Sequence, residues 1–302
     1  MTLHGYKRII KISRALSRSM RLRTLPLSLG GVLCGGLLAM FCTTCHSNNG
    51  ALLLILLTAC LLQILSNLSN EMGDYRNSVD TTDRLGPAYG MAEGLSEKQL
   101  WAAIYTTMVA CAISGLAMVW VAACPWWIVL LGAAAIWAAT HYTLGKKPYG
   151  YIGLGDLFVF IFFGLVSVLG SFFVMAHTIV WELWLIAPAV GMGLLSVAVL
   201  NVNNIRDMKT DMGIRKTMPL RLGERGAKIY QTMLVILGVG CFFLAPYRAY
   251  AMLIVLPFFA WHLVVVWRGH GRSLDPALPL LVFSAFALAV LYSFNVAYSP
   301  IR

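Results

Sequence analysis

ALLLILLTACLLQILSNLSNEMGDYRNSVDTTDR, residues 51–84, opens as lipid-facing sequence and closes as polar chemistry. A membrane-spanning helix needs about 20 mostly apolar residues, and the run from residue 50 to 69 supplies that length. Asn67, Asn70, Glu71, Asp74, Asp80 and Asp83 then follow in close order. Six of the twelve acidic residues of the chain fall between Glu71 and Glu97. On a helix, residues three and four apart share a face, so Asn67, Asn70, Glu71 and Asp74 form one polar stripe at the end of an apolar rod.

The chain has 302 residues, of which 59% are hydrophobic and 12% charged, with a mean hydropathy of +0.77. Soluble domains carry about 25% charged residues. Nine spanning stretches are expected, at 24–42, 50–69, 99–120, 124–143, 157–177, 181–203, 227–245, 249–267 and 277–296. Helices satisfy their own backbone groups in lipid, and the alternating pattern of a β-barrel is absent. The expectation is an all-α integral membrane protein: a basic segment, 1–23, followed by one membrane domain, 24–302. The first span is full length and lacks a small-residue cleavage site, so it reads as uncleaved.

The net charge of +11 raises the possibility of a nucleic-acid partner, but its distribution argues against one. With the N-terminus inside, 21 of the 23 Lys and Arg residues fall on the cytoplasmic side, leaving Arg248 and Arg302 outside. That is the positive-inside bias, reinforced by attraction to anionic lipid heads. An odd number of spans then puts the C-terminus outside. The seven cysteines mostly lie in apolar runs, where a thiol behaves as a small hydrophobe. Cys42 and Cys45, in the first external loop, could oxidise or bind metal, but no second pair or His cluster completes a site, so they read as an incidental pair; no obligate protein partner is evident.

Eleven of the twelve acidic residues also fall inside, with Glu182 the exception. Acidic residues contribute little to topology, so this second asymmetry points to function. LSNLSNEMGD has an echo in LNVNNIRDMKTD at the end of the sixth span, where Asn203, Asp207 and Asp211 form a second stripe. Two matching four-helix units are the natural reading. Converging carboxylates repel unless a cation compensates. Oxygen donors without Cys or paired His favour a hard ion such as Mg²⁺, which shares its shell with substrate phosphates. Arg206, Lys209, Arg215, Lys216 and Arg221 supply the positive charge that a diphosphate needs. Asp83, Glu93, Glu97 and Glu224 read as solvated partners of nearby Lys and Arg, whereas Asp80 leans to the site.

Asn70-x-x-x-Asp74 with Asp80, and Asn203-Asn204-x-x-Asp207-x-x-x-Asp211, resemble the two Asp-rich motifs of the UbiA superfamily of membrane prenyltransferases. LQILSNLSNEMGD, YGYIGLGD and VLNVNNIRDMKTD are most similar to its branch acting on 1,4-dihydroxy-2-naphthoate in menaquinone synthesis. One position departs: Glu71 stands where that branch commonly carries Asp, and its role is open. The resemblance implies nine helices around a central cavity opening to the cytoplasmic side. It implies Mg²⁺ held by Asn70, Asp74, Asp80, Asn203, Asp207 and Asp211, and a polyprenyl diphosphate whose allylic cation alkylates the aromatic ring with loss of the ring carboxylate. On the same resemblance Asp74, Asp207 and Asp211 are expected to be the catalytic carboxylates. Tyr142 either faces the allylic cation or anchors at the interface. Lys216 is expected to meet the diphosphate, and Arg21 to partner the aromatic carboxylate. Asn67, Asn70, Arg206 and Lys146 are further substrate-binding candidates, Lys146 serving equally with Lys147 as a topology marker. Asp156 opens an apolar helix and reads equally as a cap and as a site residue. His141, His177 and His262 read as packing or interface residues.

Another acceptor, such as 4-hydroxybenzoate, would use the same metal site. A transporter, the reading from another class, would place its polar residues near mid-membrane, where this chain has almost none.

Overall fold

The computed structural model describes residues 3–42, 48–77, 89–245 and 250–297, with side chains from residue 10 onward. Asp80 and Asp83, and the expectations placed on them, lie outside the described residues. Among the described residues all regular structure is helical. An amphipathic helix, α1 (Leu3–Ser19), buries Ala15 and Ser19 while Lys11, Arg14 and Arg18 face outward. Nine rods follow: α2 (Leu25–Phe41), α3 (Ala51–Arg76), α4 (Glu97–Val121), α5 (Trp127–His141), α6 (Gly155–Ala176), α7 (Leu183–Arg206), α8 (Met218–Cys241), α9 (Leu256–Arg268) and α10 (Ala277–Ala297).

These rods stand where the nine spans were expected. Seven helical stretches among the described residues are long and apolar enough to cross a membrane. The exceptions have local causes: α5 has only 15 residues, and α8 carries Arg221, Glu224, Arg225 and Lys228 in its first half, with a kink at Gly223. Helix starts follow ordinary capping chemistry. Ser96 and Gln99 form a capping box on α4, and proline occupies the first turn of α2, α8 and α9, where its missing N–H costs nothing.

Helix α2 joins the two halves, packing against α3 on one side and α6 and α10 on the other. In lipid, helices associate through close backbone approach over small residues. A Cβ on Gly35 of α2 would collide with the Val168 carbonyl of α6, and one on Gly164 of α6 would lie 2.5 Å from the Gly193 Cα of α7. Buried polar side chains join the second half. Asn201 donates to Gln231 Oε1 at 2.9 Å, Gln231 meets His262 Nε2 at 3.0 Å, and His262 Nδ1 lies 2.9 Å from the Ala277 carbonyl. His262 is therefore a packing residue, as its isolation in the sequence suggested. Cys42 corrects an expectation: it is disulfide-bonded, while Cys34, Cys60, Cys111, Cys124 and Cys241 are free.

Candidate active site

The polar ends of α3 and α7 meet at one end of the bundle. Helix α3 continues beyond its apolar run because the protein buries its polar residues: Asn67, Glu71 and Asp74 are all buried. Thr143 clamps that end, donating to the Ser69 carbonyl at 3.0 Å and Asn70 Oδ1 at 3.3 Å, and leaves no room for a side chain at Gly73. The loop after α5 then folds across, and Tyr151 donates its hydroxyl to Asp74 Oδ1 at 3.0 Å.

From the other half, α7 ends at Arg206, and a helical turn, Met208–Asp211, carries the second carboxylates. Arg215 bridges the halves. Its guanidinium pairs with Asp74, lies 3.6 Å from Asp211 and stacks 4.7 Å from the Tyr151 ring centroid. Burial opposes the charge of Arg215, but Asp74 and Asp211 outweigh it and raise its pKa. Burial and then the charge of Asp74 push the Tyr151 phenol well above the usual tyrosine range, so it remains a donor. The Lys216 amide donates to the Tyr151 carbonyl at 3.0 Å, which leaves the lysine side chain exposed beside this cluster.

Asp207 belongs to a second cluster. Arg206 donates to both its oxygens, at 2.9 and 2.7 Å, and to Asp275 Oδ1 at 3.1 Å. The spacing put Asp207 and Asp211 on one stripe; the structure turns Asp207 toward its own neighbour, because α7 gives way there (φ −95°, ψ 9°). Among the described residues no three Asp, Glu, His or Cys side chains converge as a metal cage. The donors nonetheless suit a hard cation: two buried carboxylates from opposite halves already surround one positive charge, the Arg215 guanidinium. Asp74, Asp211, Asn70 and Asn203 are the oxygen donors that would hold a divalent ion there.

A cavity of about 490 Å³ runs from this end into the bundle. Arg21, Asn67, Asn70, Asn203 and Tyr142 stand at its polar end, and apolar residues such as Ile55, Val119, Ile128 and Val174 line its depth. Gln63, which spacing arguments passed over, organises the near wall. It accepts from Ser28 and donates to Thr24 Oγ1 at 3.2 Å and Asn67 Oδ1 at 3.3 Å, while Asn67 donates to the Met20 carbonyl at 2.8 Å. Arg21, in a left-handed conformation (φ 48°), lays its guanidinium 3.7 Å from the Tyr89 ring centroid. Its Nε and one Nη are buried without a hydrogen-bond partner among the described residues.

The remaining candidates sit apart. Lys146 and Lys147 are exposed and off the cavity wall. Asp156 lies in the first turn of α6 and accepts from Tyr230 at 2.9 Å, tying α6 to α8. Glu93 pairs with Arg18, Glu97 with Arg76, and Glu224 with Lys228 and His270, as charge-balancing carboxylates should. Tyr151, Tyr89 and Asp275 were missed as site residues, since each lies on a loop far from its partner in sequence. Arg215 was read as a diphosphate-neutralising residue from its interleaving with the second stripe, but not as the bridge between Asp211 and the distant Asp74.

The UbiA prenyltransferase family matches residues 29–289. A 1,4-dihydroxy-2-naphthoate octaprenyltransferase of Escherichia coli (strain K12) is 42% identical over 238 residues, covering 77% of this chain and 76% of that one. The apo structure of a UbiA homolog from Aeropyrum pernix K1 aligns with a TM-score of 0.65 at 14% identity, over 94% of this chain and 97% of that one. A UbiA homolog from Archaeoglobus fulgidus bound to GPP and Mg²⁺ aligns with a TM-score of 0.56 at 15% identity, over 96% and 99%. The two solved structures share the fold.

Proposed function

We propose that this chain, which belongs to the UbiA prenyltransferase family, transfers a polyprenyl group from a polyprenyl diphosphate to 1,4-dihydroxy-2-naphthoate in menaquinone synthesis. The acceptor is the one named for the 42%-identical relative, and the Mg²⁺ follows the prenyl-diphosphate-bound neighbour. The observation that carries the reading is the cavity, a long apolar channel whose polar end abuts the Asp74–Arg215–Asp211 cluster.

In this reading the channel holds the prenyl chain and excludes water from the reacting carbon. Asn70, Asp74, Asn203 and Asp211 hold Mg²⁺, which supplies charge stabilisation to the departing diphosphate. Asp207, whose oxygens Arg206 engages, would be a further oxygen donor to that ion. Arg215 and Lys216 lie where the diphosphate would sit and neutralise it. The Tyr142 ring lines the cavity, placed to face an allylic cation. Arg21, whose Nε and one Nη find no acceptor among the described residues, takes the carboxylate of the ring that is alkylated and then loses CO₂. The enzyme works at the cytoplasmic face of the inner membrane, with its N-terminus inside and C-terminus outside.

Membranes containing the protein, Mg²⁺ and a long-chain prenyl diphosphate should convert the naphthoate to a prenylated naphthoquinol and release CO₂. EDTA should stop both products together. A pocket sized for two fused rings holds 4-hydroxybenzoate away from the cation. Prenylation of 4-hydroxybenzoate with its carboxylate retained, and none of the naphthoate, would reassign the acceptor.

A further inference from the structure

Glu71 sits among the motif residues of α3, yet its surroundings are those of a strut. The side chain is fully buried. Its Oε1 accepts the backbone N–H of Met91 at 2.7 Å, and its Oε2 is out of solvent with no hydrogen-bond partner among the described residues. Met91 belongs to a closed turn in which Glu93 N donates to the Gly90 carbonyl at 3.0 Å, Gly94 N to the Met91 carbonyl at 3.1 Å and Leu95 N to the Gly90 carbonyl at 2.8 Å. Gly90 is pressed so closely on Ala15 and Ser19 of α1 that a Cβ there would collide with both. Tyr89, at the start of this turn, is buried beneath the Arg21 guanidinium and lies within electrostatic range of Arg206. A continuous path therefore runs from α3 through Glu71, Met91 and Tyr89 to Arg21 at the polar end of the cavity.

We propose that Glu71 is a positioning residue, which ties the Tyr89–Leu95 turn to α3 and thereby holds Arg21 at the acceptor end of the cavity, rather than a metal ligand. A carboxylate accepting a backbone N–H makes a strong, charge-assisted hydrogen bond, and here it joins two segments twenty positions apart. The strained backbone of Arg21 (φ 48°) persists only where its surroundings hold it, and the Tyr89 ring lies against its guanidinium, 3.7 Å away. The inference rests on the proposed role of Arg21 toward the acceptor carboxylate.

The test uses full-length protein and the variants Glu71→Ala, Glu71→Gln, Tyr89→Ala and Arg21→Ala. It reads amide hydrogen exchange across residues 89–95, KM for 1,4-dihydroxy-2-naphthoate and for farnesyl diphosphate, and the Mg²⁺ concentration giving half-maximal rate. Glu71→Ala should expose the Met91 amide and raise the naphthoate KM roughly tenfold or more, the scale of losing such a bond. The farnesyl diphosphate KM and the Mg²⁺ requirement should hold. Glu71→Gln, which keeps an acceptor oxygen for Met91, should restore both the protection and the naphthoate KM. Tyr89→Ala should raise the naphthoate KM with the Met91 amide still protected, and it tests the path even where Glu71→Ala does not fold. A Glu71→Gln enzyme with a protected Met91 amide but a raised Mg²⁺ requirement would make Glu71 a metal ligand and overturn the proposal. Unchanged exchange in Glu71→Ala would remove the strut. An unchanged naphthoate KM in Arg21→Ala would instead overturn the reading of Arg21, and with it the acceptor half of the proposal, whatever the exchange shows.

Discussion

Arg215 is one positive charge shared by two buried carboxylates, Asp74 and Asp211, that come from opposite halves of the chain. Removing one partner of a buried ion pair costs about 3–5 kcal/mol, because the remaining charge is left uncompensated. Arg215→Gln should therefore lower the unfolding temperature in divalent-free detergent, and added Mg²⁺ should recover part of the loss, since a second cation can take the same place. Thermal unfolding with and without Mg²⁺ checks this; a variant as stable as the parent would place the pair in solvent. Asp74→Asn and Asp211→Asn should each leave folded protein but lower turnover by about a hundredfold or more, the scale of removing one preorganised electrostatic group. Near-normal turnover would return them to ordinary loop carboxylates. Asp74 and Asp211 were legible in the sequence because helical spacing names a face. Arg215 as a bridge and Tyr151 as a donor were not, since spacing says nothing about which loop folds over that face. Asp207 was legible as a site residue, but not its capture by the adjacent Arg206.

At the level of elements, hydropathy reports the length of contact with lipid, and helices overrun it wherever the protein buries their polar ends. The stretch expected at 50–69 is a helix to Arg76, and that expected at 181–203 continues to Arg206. Those overruns are the parts of α3 and α7 that carry the candidate site, so the spans were easier to read than the polar ends that matter. Glycines were likewise visible as letters but silent about partners. Gly164 and Gly193 let α6 and α7 touch backbone to backbone, and overpacking a close contact costs about 1–3 kcal/mol. Gly164→Leu should lower the unfolding temperature, while the equivalent change at Gly240, which has open space around it and lies off the cavity wall, should be nearly silent. Equal effects at both positions, measured by thermal unfolding of purified protein, would argue against the close α6–α7 approach.

For the whole molecule, the decisive question is which side of the membrane receives the polar end of the cavity. Nine rods among the described residues carry the chain across an odd number of times if each crosses. The ends of α3, α5 and α7, where the carboxylates and Arg215 gather, then share a side with α1 and its basic residues. Placing that side in the cytoplasm puts 21 of the 23 Lys and Arg residues inside, and moving them across would oppose the positive-inside bias. An independent observation agrees: Cys42, at the far end of α2, is disulfide-bonded, and disulfides persist in oxidising compartments outside the cytoplasm. Reporter fusions after Arg23 and Arg302 should therefore signal from opposite sides, the first inside and the second outside. In intact cells Cys42 should resist alkylation until a reductant is added. Fusions reporting from the same side would mean that one rod does not cross, with α5, whose 15 residues keep it out of the seven stretches long enough to span, the first to suspect. The ends of α3 and α7 would then fall on opposite sides, and a bridge from Asp74 through Arg215 to Asp211 could not form.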